Sequence, residues 1–246
     1  HSARARASPR RGPTLNSLTV TVVLPVWNGE RFLGEALESI GRQSWRAFEI
    51  VVVDDGSTDA SAEIAGAYPG VHLVRQARAG VAAARNRGVG AAPGELIAFL
   101  DQDDRYTPDK LERQAGAFQA DPALELCFAH QRLFLDGLST PPSWVRPGWL
   151  DGPLPGLLPG TLVVRRRAFD AVGPFAEGEP IASDSDWLMR ARRRGLRELL
   201  LPDVLLERRI HAANQSANVA AGHLELLRAV RRAAKRGAPP AGGASA

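Results

Sequence analysis

The stretch Glu95-Leu96-Ile97-Ala98-Phe99-Leu100-Asp101-Gln102-Asp103-Asp104 joins an apolar run to an acidic quartet. The apolar part reads as a buried strand. The three carboxylates that follow it repel one another and are costly to hold together. A chain that delivers them at the mouth of a strand has a positive partner to place there. Hard oxygen ligands suit Mg2+ or Mn2+, and such an ion would in turn carry an anionic substrate.

Toward the N-terminus, Thr19-Val20-Thr21-Val22-Val23-Leu24 is a second β-branched run, too apolar for a surface strand and predicted to lie centrally in a sheet. Phe48-Glu49-Ile50-Val51-Val52-Val53 is a third, and it ends in Asp54-Asp55-Gly56-Ser57. Between them Asn28 is placed to cap a helix whose Phe32, Leu33, Ala36, Leu37 and Ile40 share one face. A helix over about 59–67 capped by Ser57 or Thr58, a short strand at 71–74 and an Ala-rich helix from Gly80 to about 91 lead to the quartet. Beyond it, Thr107 as N-cap and Pro108 at the first helical position open another helix. Strand alternating with helix predicts an α/β fold, a mostly parallel sheet flanked by helices. Ligands in such sheets sit beyond the carboxyl ends of the strands. The polar motifs at 25–28, 54–57 and 101–104 all fall at such ends.

The second half is less regular. Residues 137–160 hold six prolines and five glycines with Trp144 and Trp149, and read as a long surface loop of the kind that serves as a lid or binding segment. A strand resumes at 160–164, a helix spans 184–194, a strand 204–210 and a last helix about 220–235, with Leu224, Leu227 and Val230 on one face. There is no internal repeat.

A chain of 246 residues with 44% hydrophobic and 24% charged content has room for one large α/β domain and is ordinary for a globular protein. No apolar run reaches the roughly 18 residues of a membrane span. His1-Ser2 without an initiating Met reads as a cloning remnant, and no signal-peptide pattern follows. The net charge of +4 suggests a nucleic-acid partner, but its distribution argues against one. Arg4, Arg6, Arg10 and Arg11 near the start, and Arg228, Arg231, Arg232, Lys235 and Arg236 near the end, have no acids around them. With those nine set aside, the 27 acids outnumber the remaining bases. The stretches 1–16 and 237–246 read as disordered, the basic residues of 1–16 and 228–246 read as solvated ends, and an acidic partner or peripheral membrane contact is the other reading of that charge. Cys127 is the only cysteine, which excludes an internal disulfide and fits a reducing, cytoplasmic setting.

Each remaining polar group has two readings. Asp54-Asp55-Gly56-Ser57 is either a polar turn or a carboxylate that accepts a hydrogen bond from a base N–H. Arg85, in Gly80-Val81-Ala82-Ala83-Ala84-Arg85-Asn86, is a solvated helix residue or a guanidinium near a diphosphate. In Ser183-Asp184-Ser185-Asp186-Trp187 the acids either complement a helix dipole or supply a general base. His211 is a metal ligand, an acid–base group or a surface histidine.

Taken together these residues resemble the family 2 glycosyltransferases, the inverting group with the GT-A fold. Thr21 to Asn28 is similar to the family's "VxxPxYN" opening, with Trp27 for the common Tyr. Gln43-Ser44-Trp45, Val51 to Ser57 ("VVDDGS"), Gly80 to Asn86 ("GxxxARN") and the quartet ("DxDD") follow in the family's order. Arg166-Arg167, Val172-Gly173-Pro174-Phe175 and Arg209-Ile210-His211 with Ser216 ("RxHxxxxS") complete it over roughly 19–216.

The resemblance implies one GT-A domain over 17–236, with a nucleotide half to about 105 and an acceptor half over 106–216. It implies that Pro25, Trp27, Asn28 and Asp55 line the base and ribose pocket and that Arg85 lies on the phosphate side. Asp101 would approach ribose or sugar with Gln102 as a spacer in the donor site, and Asp103 would hold the Mn2+ or Mg2+ ion, with His211 as a further contact. Asp184 takes the place of the general base; Ser183 stands where the family usually has Glu, so Asp186 stays open for that role. The expected activity is metal-dependent transfer of a sugar from a nucleotide-sugar, a UDP-sugar, to a saccharide, peptide or small molecule, with Trp144 and Trp149 as candidate acceptor contacts. The alternatives are an impaired nucleotide-sugar-binding domain and a sugar-nucleotidyltransferase. Pro25-Val26-Trp27-Asn28 is not the Gly-rich basic loop that the latter needs.

Overall fold

The computed structural model describes residues 18–178 and 182–214. The predicted tails at 1–16 and 237–246, the predicted helix over 220–235 and Ser216 lie outside them. Strands β1 (Val20–Val26), β2 (Phe48–Asp54), β3 (Val71–Arg75) and β4 (Leu96–Phe99) are parallel neighbours in the order β3-β2-β1-β4. Every β1 residue is buried, because alternate side chains enter different cores. Val20, Val22, Leu24 and Val26 pack with helices α1 (Leu33–Gly41), α2 (Ser61–Ala67) and α4 (Lys110–Ala120). Val23 packs on the opposite face with α3 (Val81–Ala91), α5 (Arg166–Val172) and α6 (Ser183–Arg193). Two-sided cover is why these runs lack polar alternation. The strand order reverses between β1 and β4, which opens a crevice at their carboxyl ends.

The sheet continues from β4 through antiparallel β8 (Val163–Arg165) to β6 (Leu126–Leu135), β9 (Glu198–Ile210) and β5 (Arg105–Tyr106). A two-residue strand, β7 (Leu154–Pro155), pairs with β6. The parallel pattern therefore belongs to the first half, and the second half is mixed. β5 pairs Arg105 with Glu207 and Tyr106 with Leu206, which carries the end of β9 up to the acidic quartet.

The local sequence signals are corrected in several places. β6 was not anticipated: its parallel partner β9 and the register shifts around His130 break the simple period. α4 begins at Lys110 rather than at Pro108, and the Thr107 hydroxyl meets Asp109 instead of capping the helix. Asn28 caps no helix; it sits at φ 48° and its Oδ1 accepts the Thr58 N–H at 2.9 Å. Ser57 likewise turns its hydroxyl to the Asn28 N–H (3.0 Å), and α2 starts at Ser61. A 3-10 turn, Pro159–Thr161, delays the strand expected from 160 until Val163. Among the described residues no helix is long and apolar enough to cross a membrane.

Candidate active site

The carboxyl ends of β1, β2 and β4, the first turns of α3 and α6 and the end of β9 enclose one cavity of about 430 Å³, within the range of small-molecule sites. Pro25, Trp27, Asn28, Asp55, Arg85, Asp101, Gln102, Asp103, Asp184 and His211 all line it. Asp186, Trp144 and Trp149 are not in its lining.

At one end, buried Asp55 is saturated with donors. Its Oδ1 accepts from Gln76 Nε2 and Ala79 N, both at 2.8 Å, and its Oδ2 accepts from Gly80 N at 2.8 Å and from Arg78. Burial pushes this carboxyl up, but the four donors together hold it below the ordinary carboxylate value. Gly80 can present its N–H there because it adopts φ 97°, a conformation that side chains disfavour. The Arg78 guanidinium lies 3.7 Å above the ring of Trp27, which is 42% exposed. Gln76 and Arg78 had no signal in the sequence beyond their place in a strand-end loop on the same edge.

In the middle, Arg85 donates from Nη2 to Asp101 Oδ1 at 2.7 Å and is only 5% exposed. Its Nε is buried with no hydrogen-bond partner among the described residues. The guanidinium thus braces the acidic loop from within the cavity lining. Gln102 is more than a spacer: its Oε1 accepts the Trp27 N–H at 2.7 Å and its Nε2 donates to the Trp27 carbonyl at 3.1 Å.

At the other end, Asp103 Oδ2 and His211 Nε2 are 2.9 Å apart, and Asn214 Nδ2 donates to the same oxygen at 3.3 Å. Asp104 faces inward, accepting the Arg209 N–H at 2.9 Å. Burial, then the nearby Asp103 and Asp101 charges, drive its pKa well above the carboxylate range. Arg209, itself buried, donates from Nε to the Asp103 carbonyl at 2.9 Å and from Nη2 to Glu35 at 2.6 Å. Among the described residues no three His, Cys, Asp or Glu side chains group as a full metal cage. The Asp103 carboxylate nevertheless suits Mg2+ or Mn2+, which take one or two protein carboxylates and complete their shell with substrate phosphates and water, and the His211 imidazole stands beside it. Their 2.9 Å separation is that of a direct hydrogen bond between ring and carboxylate.

The two helix acids separate clearly. Asp186 Oδ2 accepts from Arg190 Nε at 2.8 Å, and Arg190 also holds the carbonyls of Val172 and Pro174. Asp184 instead enters the cavity, with Ser185 N–H donating to its Oδ1 at 2.7 Å. Burial raises its pKa, and Arg85 opposes that rise. Trp144 and Trp149 pack against Leu133, Val145 and Ile210, away from the cavity. They serve that small core, and the expected acceptor role gains no geometric support.

The family described as "Glycosyl transferase family 2" matches residues 21–173. YibD of Escherichia coli (strain K12), an uncharacterized glycosyltransferase, is 36% identical over 149 residues, or 52% of this chain and 43% of YibD. The putative glycosyltransferase EpsH of Bacillus subtilis is 37% identical over 44% of this chain and 33% of its own length. The chain thus spans less than half of these relatives. Among solved structures, S. aureus TarS 1-349 in complex with UDP-GlcNAc has a TM-score of 0.69 at 22% identity, covering 82% of this chain and 61% of that one. The mannosyltransferase PcManGT from Pyrobaculum calidifontis, in complex with GDP-Man and Mn2+, also has a TM-score of 0.69 at 22% identity, covering 92% and 67%. The fold is therefore that of the GT-A glycosyltransferases. From the ordered motifs, the strand-end cavity and the match over most of the sheet, the chain belongs to glycosyl transferase family 2.

Proposed function

We propose that the protein is a metal-dependent, inverting glycosyltransferase that moves a sugar from a UDP-sugar to an acceptor hydroxyl. The observation that carries the reading is one cavity lined together by Trp27, Asp55 and Arg78, by the acidic loop Asp101 to Asp104 and by the Asp184 carboxylate. A uracil edge offers an N–H flanked by two carbonyls, which suits a carboxylate beside a guanidinium. Guanine sets two donors and one acceptor against the same pair. Because the Asp55 lone pairs are already taken, the base N–H exchanges for Arg78, the one side-chain cation among the four donors. The division into a nucleotide half ending near 105 and an acceptor half beyond it follows the same line. The only cysteine, Cys127, is buried and free, which fits a cytoplasmic setting.

Asp103 and His211 would hold Mn2+ or Mg2+, and the ion would neutralise charge on the leaving diphosphate. Asp184 accepts the acceptor's proton as the acceptor oxygen forms its bond to the anomeric carbon. The bond from that carbon to the diphosphate oxygen breaks on the opposite face, and its electron pair leaves with UDP. Burial, by raising the basicity of Asp184, improves it for this role. Arg85 keeps Asp101 turned toward the sugar side.

The test is a titration of UDP with and without Mn2+, on the wild type and on Asp103→Asn, followed by a hydrolysis screen over a donor panel. Metal-enhanced UDP binding that Asp103→Asn abolishes is expected. UDP binding that ignores Mn2+, or GDP bound in preference to UDP, overturns the metal and base assignments respectively.

A further inference from the structure

The segment from Val172 to Phe175, which links α5 to the chain entering α6, is gripped from two sides. From α6, Trp187 Nε1 donates to the Gly173 carbonyl at 2.9 Å. Arg190 donates to the carbonyls of Val172 at 2.8 Å and Pro174 at 2.7 Å, aimed by its pair with Asp186. From α3, Asn86 Nδ2 donates to the Phe175 carbonyl and to Glu177 Oε1, both at 3.0 Å. The Phe175 N–H in turn donates to Asn86 Oδ1 at 2.9 Å. A side-chain amide that meets both backbone groups of one residue copies a strand neighbour and admits one orientation of its oxygen and nitrogen. The Phe175 ring is locked beneath it, 5.5 Å from Phe99 and 5.7 Å from Trp187.

The residue before Asn86 on α3 is Arg85, which holds Asp101. Adjacent residues of one rigid helix thus tie down the metal loop on one side and the segment carrying α6 on the other. We propose that Asn86 is a positioning residue which, through the Phe175 backbone, sets α6 and with it Asp184 against the donor. The proposal rests on reading Asp184 as the general base. It assigns Asn86 to transfer rather than to nucleotide binding, since Asn86 is not among the cavity-lining residues and none of its hydrogen bonds reaches Asp55 or Asp103.

The experiment compares the wild type with Asn86→Ala and the isosteric Asn86→Asp. It reads amide hydrogen exchange over 172–178 and α6, UDP affinity with Mn2+, and hydrolysis of UDP-N-acetylglucosamine. Exchange at the Phe175 amide is expected to rise about 10- to 30-fold, as losing two hydrogen bonds predicts. Hydrolysis should fall roughly 10- to 100-fold in kcat through misplacement, with UDP affinity and donor KM unchanged. Unaltered exchange at Phe175, or UDP affinity falling in step with kcat, overturns the proposal. Should Asn86→Ala not fold, Asn86→Asp carries the kcat-against-KM measurement, since its carboxylate still accepts the Phe175 N–H but no longer donates to the Phe175 carbonyl. If the wild type binds no UDP, the donor reading fails, while the exchange result still decides whether Asn86 clamps the segment.

Discussion

Lys110 is fully buried on α4, where its ammonium donates to Gln114 and lies 4.7 Å from the Tyr106 ring centroid. Burial lowers its pKa from 10.5 to about 7, against a smaller upward pull from Cys127. Between those values the unfolded chain holds a proton that the native protein lacks. Stability therefore rises with pH over this interval, by up to about 1.4 kcal/mol per pH unit. Below pH 7 both states are protonated and the full cost, on the order of 5 kcal/mol, is carried by the native state. Cys127 acts with the opposite sign, because burial pushes its thiol up to about 11 and favours the native state's proton above pH 9. The window free of the Cys127 shift is thus from pH 7 to 9, where Lys110 itself contributes a gain of about 2 to 3 kcal/mol. Lys110→Met should abolish that slope. At pH 7 it should also stabilise the fold by roughly 2 kcal/mol, after about 1 to 3 kcal/mol is lost where Gln114 Oε1 is left unpaired. Urea unfolding at pH 7, 8 and 9 on both proteins, compared at constant m, reads this directly. A wild type with flat stability across the window, or a Met variant that keeps the slope, refutes the reasoning.

Replacing Asp184 by Asn should cut turnover about 10²- to 10⁴-fold while leaving UDP affinity intact; Asp186→Asn should lose stability instead, through Arg190. Arg85 opposes the upward shift at Asp184, so Arg85→Met should move the acidic limb of the kcat/KM profile to higher pH, and a limb that stays put argues against Asp184. Gly80→Ala should cost about 1 to 3 kcal/mol of stability for conformation alone, since no atom lies within 4 Å of the added carbon. It should also weaken UDP binding by disturbing the N–H held on Asp55, as calorimetry would report.

Much of the nucleotide half was legible because its determinants are local. β1, β2 and β4 announce themselves through continuous apolar runs, and their polar ends follow within a few residues. Helix starts were less legible. Asn28, Ser57 and Thr107 have the chemistry of N-caps, but Asn28 and Ser57 meet partners in each other's loops and Thr107 turns to Asp109, two residues on. β6 escaped notice because its partner β9 lies far along the chain and the pairing is irregular near His130. Gln76 and Arg78 became site residues only once β3 ended beside Asp55.

By itself the sequence determined the parallel α/β half, the family's motif order and the set of carboxylates at the strand ends, since periodicity and strand-end polarity are properties of neighbouring residues. Only the tertiary structure decided how that set divides. Packing against Arg190 withdrew Asp186 from the cavity and left Asp184 in it. The pairing of β5 with β9 brought His211 within 2.9 Å of Asp103, across 108 residues. Burial, with the Arg209 N–H donated to its carboxylate, fixed Asp104 as a support of the turn. Roles such as these depend on which distant strand or helix each carboxylate meets, and that is set by the closed sheet and its two cores.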